Sequence, residues 1–243
     1  MSTLNPHDLL WCVRRLPKPV VALLKAHPGA VFIAGGYVRS RVTGEHVNDI
    51  DLFVSSAEDA KRFALEVAGG DEKRLHITPN AITIKRISPT VQFIHRWTFA
   101  APSDALASFD FTIAAAALWW DGSRWQSLCD PDYYADLAAK RLIYRKPSRN
   151  EDAGGSMLRV LKFYQRGYRI PLDSLGAVVA RLVQGVRPGT LPMGRSDGDM
   201  EAAWGMVLTG LLREVDPAID PDHISHLPSV AGVEDVDAEF GDV

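Results

Sequence analysis

A chain of 243 residues with 47% apolar side chains can bury one substantial core, and its length permits one or two compact units. A net charge of −3 argues against a surface coated for nucleic-acid binding. No apolar run approaches the roughly 20 residues needed to cross a bilayer, and Met1 to Leu10 lacks the basic-then-apolar order of a signal peptide. The expectation is a soluble, cytoplasmic, globular protein with no membrane partner. Cys12 and Cys129 stand far apart and outside metal-ligand spacing, so they read as buried free thiols.

Charge is segregated along the chain. Between Lys140 and Arg169 there are nine Lys or Arg against two acids, whereas no Lys or Arg follows Arg213. A run of acids from Glu214 to Asp242 closes the sequence. The basic stretch suits either a phosphate-binding surface or an ordinary solvated helix face, and the acidic end would repel phosphates.

In chain order, residues 6–26 read as helical with a break, because Pro17 and Pro19 cannot both sit inside one continuous helix. Val31-Phe32-Ile33-Ala34 reads as a short apolar strand that delivers Gly35-Gly36 to a brief helical stretch from Tyr37 to Val42. Asp49 to Val54 alternates polar with apolar and then turns wholly apolar, as a strand entering a core should. Residues 57–68 have helical periodicity, stopped by Gly69-Gly70. Strands are expected at 81–86, 90–95 and from Phe109 to about Leu118, the last despite four consecutive alanines that intrinsically prefer helix. Helices are expected at 157–167, 172–183 and 200–212, and a loosely ordered tail from Asp216.

A strand that ends in two glycines at the mouth of a helix lets backbone N–H groups approach an anion without side-chain obstruction, and a triphosphate is a natural guest. In Asp49-Ile50-Asp51 the alternation of a strand points both carboxylates to one side, where hard oxygen donors suit Mg²⁺. Asp110, flanked by Phe109 and Phe111, is costly to bury as an anion unless a cation engages it, and metal ligation would do so. Each piece alone has a bland reading: a diglycine is usually only a turn, and an Asp-x-Asp pair is usually solvated or a cap. Their order and spacing together are far more specific.

These residues resemble the polymerase-β-type nucleotidyltransferase superfamily, and within it the head and neck of bacterial poly(A) polymerases and CCA-adding tRNA nucleotidyltransferases. Phe32-Ile33-Ala34-Gly35-Gly36-Tyr37-Val38-Arg39 is similar to that family's glycine motif, Asp49-Ile50-Asp51 to its metal-binding pair, and Phe109-Asp110-Phe111-Thr112-Ile113 to the strand bearing a third carboxylate. Asp130-Pro131, Asp136-Leu137, Glu151-Asp152 and Leu158 to Phe163 resemble its neck motifs. The likeness spans roughly residues 30–170. It departs from the family pattern at Ser40, Ser108, Phe109, Ala114 and Lys162, and few residues remain after the neck to form the body and tail that grip tRNA in full-length relatives.

The resemblance implies an α+β fold: a mixed nucleotidyltransferase sheet with flanking helices over 1–125, a helical neck-like unit over 126–215 and an acidic tail over 216–243. It implies transfer of a nucleoside monophosphate from an NTP, ATP or CTP, to an acceptor hydroxyl with release of pyrophosphate, the acceptor being an RNA or tRNA 3′ end. Asp49, Asp51 and Asp110 would be the catalytic and metal-binding residues of a two-metal Mg²⁺ site in which Mn²⁺ can substitute. Gly35, Gly36, Arg39, Arg159 and Lys162 would bind nucleotide. A minimal transferase acting on a protein, on a small hydroxyl compound or, toxin-like, on tRNA is the alternative, and a silent nucleotide- or RNA-binding module is a third. Trp119, Trp120 and Trp125 read either as a base-stacking surface or as a strand-end aromatic cluster.

Overall fold

The computed structural model of the chain describes residues 1–147, 153–184, 200–201 and 203–207. Two helices open it, α1 (Pro6–Arg14) and α2 (Lys18–Ala26), separated where Pro17 stands as the N-cap of α2. Asn5 caps α1 by accepting a hydrogen bond from the His7 N–H. Then follow β1 (Val31–Ala34), α3 (Gly36–Thr43), β2 (Asp49–Val54) and α4 (Ala57–Val67). Ser56 caps α4 through the Asp59 N–H. Strands β3 (Leu75–Ile77), β4 (Ala81–Ile84) and β5 (Thr90–Ile94) precede α5 (Pro102–Ser108), β6 (Ala116–Trp120) and β7 (Trp125–Cys129). Helices α6 (Tyr133–Ala138), α7 (Ala153–Gln165) and α8 (Leu172–Gln184) complete the named elements.

The seven strands form one mixed sheet in the order β3-β4-β5-β2-β1-β6-β7. Only β2 and β5 run parallel; the other neighbours are antiparallel. Period-two alternation divides the sheet between two cores. Ile50, Leu52 and Val54 of β2 join Val91 and Phe93 of β5 in a large cluster that also buries Leu23 and Leu24 of α2, Tyr37 and Val38 of α3, and Phe63 of α4. Phe53 faces the other way, into a smaller cluster with Phe32, Ala34, Ile94 and Ala117, covered by Ala105 and Leu106 of α5. Asp49 and Asp51 alternate with Ile50 and Leu52 and so lie on the Phe53 face.

The sequence expectations for the opening pair of helices, for β1, β2, β4, β5, α4 and α8, and for the helical stretch now seen as α7 agree with the structure to within a few residues. Residues 200–201 and 203–207 are helical, whereas the rest of the helix expected to 212 and the acidic tail lie outside the described residues. One expectation is corrected. The strand from Phe109 to Leu118 is a strand only from Ala116: α5 ends at Ser108, Asp110 stands in a bend, and Thr112–Ala114 make one 3₁₀ turn. The backbone there is held by other partners, since the Asp110 carbonyl accepts from the Arg145 N–H at 2.7 Å and the Thr112 N–H donates to Ile143 O at 3.1 Å. Strands β3 and β7 and the short helix α5 went unforeseen.

Candidate functional site around the diglycine turn

Gly35 caps α3 with φ 83° and ψ −128°, a conformation that L side chains rarely adopt. Its N–H donates to Ala116 O at 2.9 Å, tying the turn to β6. A Cβ at Gly35 would lie 3.4 Å from the Phe109 ring. At Gly36 a Cβ would lie 3.9 Å from Asp49 Oδ1 and 3.8 Å from Arg39 Nη2. The turn therefore brings bare backbone beside the first carboxylate of the Asp-x-Asp pair, as the motif spacing implied.

Asp49 and Asp51 are half-buried while the intervening Ile50 is fully buried. Strand β5 runs alongside in register, Asp49 opposite Thr90 and Asp51 opposite Gln92. Because partners across a parallel pair share a face, Thr90 and Gln92 flank the carboxylates. The next row on that face, Phe53 opposite Ile94, is apolar. The polar surface is thus confined to the rows nearest the diglycine turn.

Asp110 follows Phe109, whose ring stands where a side chain at Gly35 would point and packs against Phe53 at 6.0 Å between centroids. Its carboxylate is held by α7: Oδ2 accepts from Arg159 Nε at 2.6 Å and from Ser156 Oγ at 3.0 Å. Asp110 and Ser156 are buried. Among the described residues no three His, Cys, Asp or Glu side chains are grouped so as to hold a metal ion. The three acids singled out in the sequence are therefore not assembled as one ligand group in this arrangement. Asp49 and Asp51 alone, two hard oxygen donors on one strand face beside an open backbone turn, fit a divalent cation.

Arg39 is only 7% exposed. Its Nε lies 3.5 Å from Glu45 Oε2, and its guanidinium sits 4.8 Å over the Phe163 ring of α7. Tyr168 donates its hydroxyl to Glu45 Oε1 at 3.3 Å. Arg39 thus supports the turn from beneath and joins α3 to α7. Arg159, expected to face a nucleotide, binds Asp110, and Lys162 is half-buried one turn further along α7. Glu151 and Asp152 lie outside the described residues.

Three of the nine basic residues of the stretch, Arg141, Arg145 and Arg159, are matched to acids within the fold. Arg141 binds the fully buried Asp136 at 2.7 Å, with Thr112 Oγ1 donating to the same carboxylate at 2.6 Å, and Arg145 binds Asp130 at 2.9 Å. This pairing is invisible in a charge count. Ser156, Glu45 and Gln92 went unnoticed in the sequence. Only for Gln92 was there a signal, an amide between Val91 and Phe93 in an otherwise apolar strand.

Trp120 and Trp125 form the terminal cross-strand pair of β6 and β7, in edge contact at 5.4 Å between centroids, with Lys25 over Trp120. This is the strand-end aromatic cluster. Both cysteines are buried and free. Burial, helped by nearby Asp8, pushes the Cys12 thiol up to about 12, and burial raises Cys129 to about 11. Tyr37 donates its hydroxyl to Cys12 O at 2.7 Å, and burial raises it to about 12.

This mixed sheet, with helices on its faces and helices following, is the polymerase-β-type nucleotidyltransferase fold. A CCA-adding enzyme of Thermotoga maritima complexed with tRNA superposes on 99% of the chain with a TM-score of 0.57 at 17% identity. CCA-adding enzymes solved with ATP and with CTP give 0.59 at 19% identity and 0.57 at 20% identity, each again over 99% of the chain. The chain spans 55%, 55% and 54% of the length of those three structures. The family model described as Gabija anti-defense 2 family protein matches residues 8–140, and the chain belongs to that family. No curated protein matches the sequence. No helix among the described residues is long and apolar enough to cross a membrane.

Proposed function

We propose that the chain is a divalent-metal-dependent nucleotidyltransferase that moves a nucleoside monophosphate from an NTP to an acceptor hydroxyl and releases pyrophosphate. The observation that carries this reading is the Gly35-Gly36 turn set against Asp49, with Asp51 beside it on the same sheet face. Gly35 and Gly36 would admit the triphosphate to backbone N–H groups at the start of α3. Asp49 and Asp51 would hold Mg²⁺ or Mn²⁺, which supplies charge neutralisation and a more acidic attacking hydroxyl when bound. Asp110, through Arg159 and Ser156, would fix α7 against the site, and Lys162, one turn from Arg159, would lie near the nucleotide.

RNA or tRNA is the acceptor suggested by CCA-adding enzymes that share the fold, with ATP or CTP as donor. A second reading of the acceptor, a protein or small molecule within an anti-defence role, is favoured by the membership of the Gabija anti-defense 2 family and by the internal pairing of Arg141, Arg145 and Arg159. The test offers each α-labelled NTP, with Mg²⁺, to total RNA and to total protein. Label entering one pool, and lost in Asp51→Asn, supports the reading and identifies the acceptor class. No transfer to RNA, protein or small hydroxyl compounds from any NTP would end it.

A further inference from the structure

Arg141, Arg145 and Arg159 lie 2.6–2.9 Å from their carboxylates, whereas Arg39 stops short of its own. Its Nε stands 3.5 Å from Glu45 Oε2, and among the described residues neither of these buried atoms has a hydrogen-bond partner. Buried polar groups are almost always paired, and a charge-assisted bond between the two would be a strong one. A buried donor and acceptor of opposite charge, side by side and unbonded, therefore call for a reason.

The contacts around the pair supply it. The Arg39 guanidinium lies 4.8 Å over the Phe163 ring, and Nη2 donates to Ser40 Oγ at 3.5 Å. The same Nη2 is 3.8 Å from where a Cβ would stand at Gly36, so the positive charge sits beside the diglycine turn. Glu45 is restrained from its other side, where the Tyr168 hydroxyl donates to Oε1 at 3.3 Å. Tyr168 is fully buried and follows α7. Burial, and after it the Glu45 charge, pushes this hydroxyl up to about 12, so it remains a donor at neutral pH. With Oε1 drawn toward Tyr168, the carboxylate faces Arg39 without closing on it. We infer that Glu45, held by Tyr168, is a positioning residue for the nucleotide: it fixes Arg39 beside the diglycine turn while leaving the guanidinium charge uncommitted for a phosphate. This rests on the nucleotide site proposed above. Glu45 acts on the nucleotide only through Arg39, and Tyr168 transmits the restraint from the segment after α7 to the turn.

The test is calorimetric titration of non-hydrolysable ATP and CTP analogues with Mg²⁺ into the full chain, with thermal melts of the same variants. Tyr168→Phe deletes one hydroxyl and keeps the ring, which packs edge-on to Phe163 at 5.4 Å between centroids. It is expected to weaken nucleotide binding about threefold to tenfold, the scale of one lost hydrogen bond to a charged group. Glu45→Ala should weaken binding about tenfold, and the double variant no further, since both changes break one chain of contacts. Glu45→Gln keeps an oxygen for Tyr168 and drops the charge, so it should stay within about threefold of wild type. Lowered melting temperatures with unaltered affinity of the folded protein would overturn the inference, by assigning Glu45 and Tyr168 to the fold alone. Losses that multiply in the double variant would overturn it as well. So would a gain of about tenfold in Glu45→Gln, which would make Glu45 a competitor for the Arg39 charge. Wild-type protein that binds neither analogue, or that binds no better than Asp51→Asn, would instead overturn the proposed site itself.

Discussion

Replacing Arg159 with alanine tests how the helical part is fastened to the sheet. Asp110 is buried, its side chain 6% exposed, and Arg159 reaches it at 2.6 Å from a position 26% exposed. Removing one partner of a buried ion pair strands the other charge and costs about 3–5 kcal/mol. Because water reaches Arg159, and Ser156 still donates to the carboxylate, the lower end applies, about 3 kcal/mol. For a chain of this length that corresponds to a fall in melting temperature of roughly 6–12 °C. Chemical denaturation of Arg159→Ala, Asp110→Ala and the double variant gives the coupling directly, and the double should cost less than the sum by at least about 1 kcal/mol. Single variants within about 0.5 kcal/mol of wild type, or strictly additive losses, would refute the role given to this pair.

Gly35→Ala, forced into φ 83° with the Phe109 ring 3.4 Å from its new methyl, should lose about 1–3 kcal/mol of stability by denaturation. It should also lose nucleotide binding, while Gly44→Ala, equally left-handed but with nothing near its Cβ, should keep it. Cys12 and Cys129 should resist alkylation at pH 8 in the native state and react at once in denaturant, since burial disfavours both thiolates. Their folded-state values lie above the unfolded value of 9.0, so the stability they contribute is intact below pH 9. It drains away as pH climbs toward about 11 for Cys129 and about 12 for Cys12. An alkaline unfolding midpoint that moves upward in Cys12→Ala relative to wild type, after allowance for lost packing at neutral pH, checks the sign.

What the sequence made legible was whatever depends on near neighbours along the chain. Alternation in Asp49 to Val54 located β2 and the shared face of its two acids, and Pro17 placed the break between α1 and α2. The diglycine before a helical stretch gave the turn, because the left-handed conformation of Gly35 needs no distant contact to be recognised. What stayed hidden was set by partners far away in sequence. The alanines from Ala114 to Ala117 begin as a 3₁₀ turn because Ile143 and Arg145 hold the backbone around Asp110. The partners of Asp110, Ser156 and Arg159, lie more than forty residues on, so an acid between two phenylalanines could suggest a cation without saying which. The place of Gln92 opposite Asp51 is set by the β2–β5 register, a parallel pairing that no local pattern announces. The basic stretch illustrates the same limit: counting charges from Lys140 to Arg169 could not show that Arg141, Arg145 and Arg159 each meet an acid inside the fold.

The most direct test is calorimetric titration of a non-hydrolysable NTP analogue with Mg²⁺ into wild-type protein and into Asp51→Asn shown to melt like wild type. Saturable, Mg²⁺-dependent binding in the wild type that is lost in Asp51→Asn is the expected result. Equal binding by both proteins, or none by the wild type with any of the common NTP analogues, would contradict the assignment of the diglycine and Asp-x-Asp face as a nucleotide site.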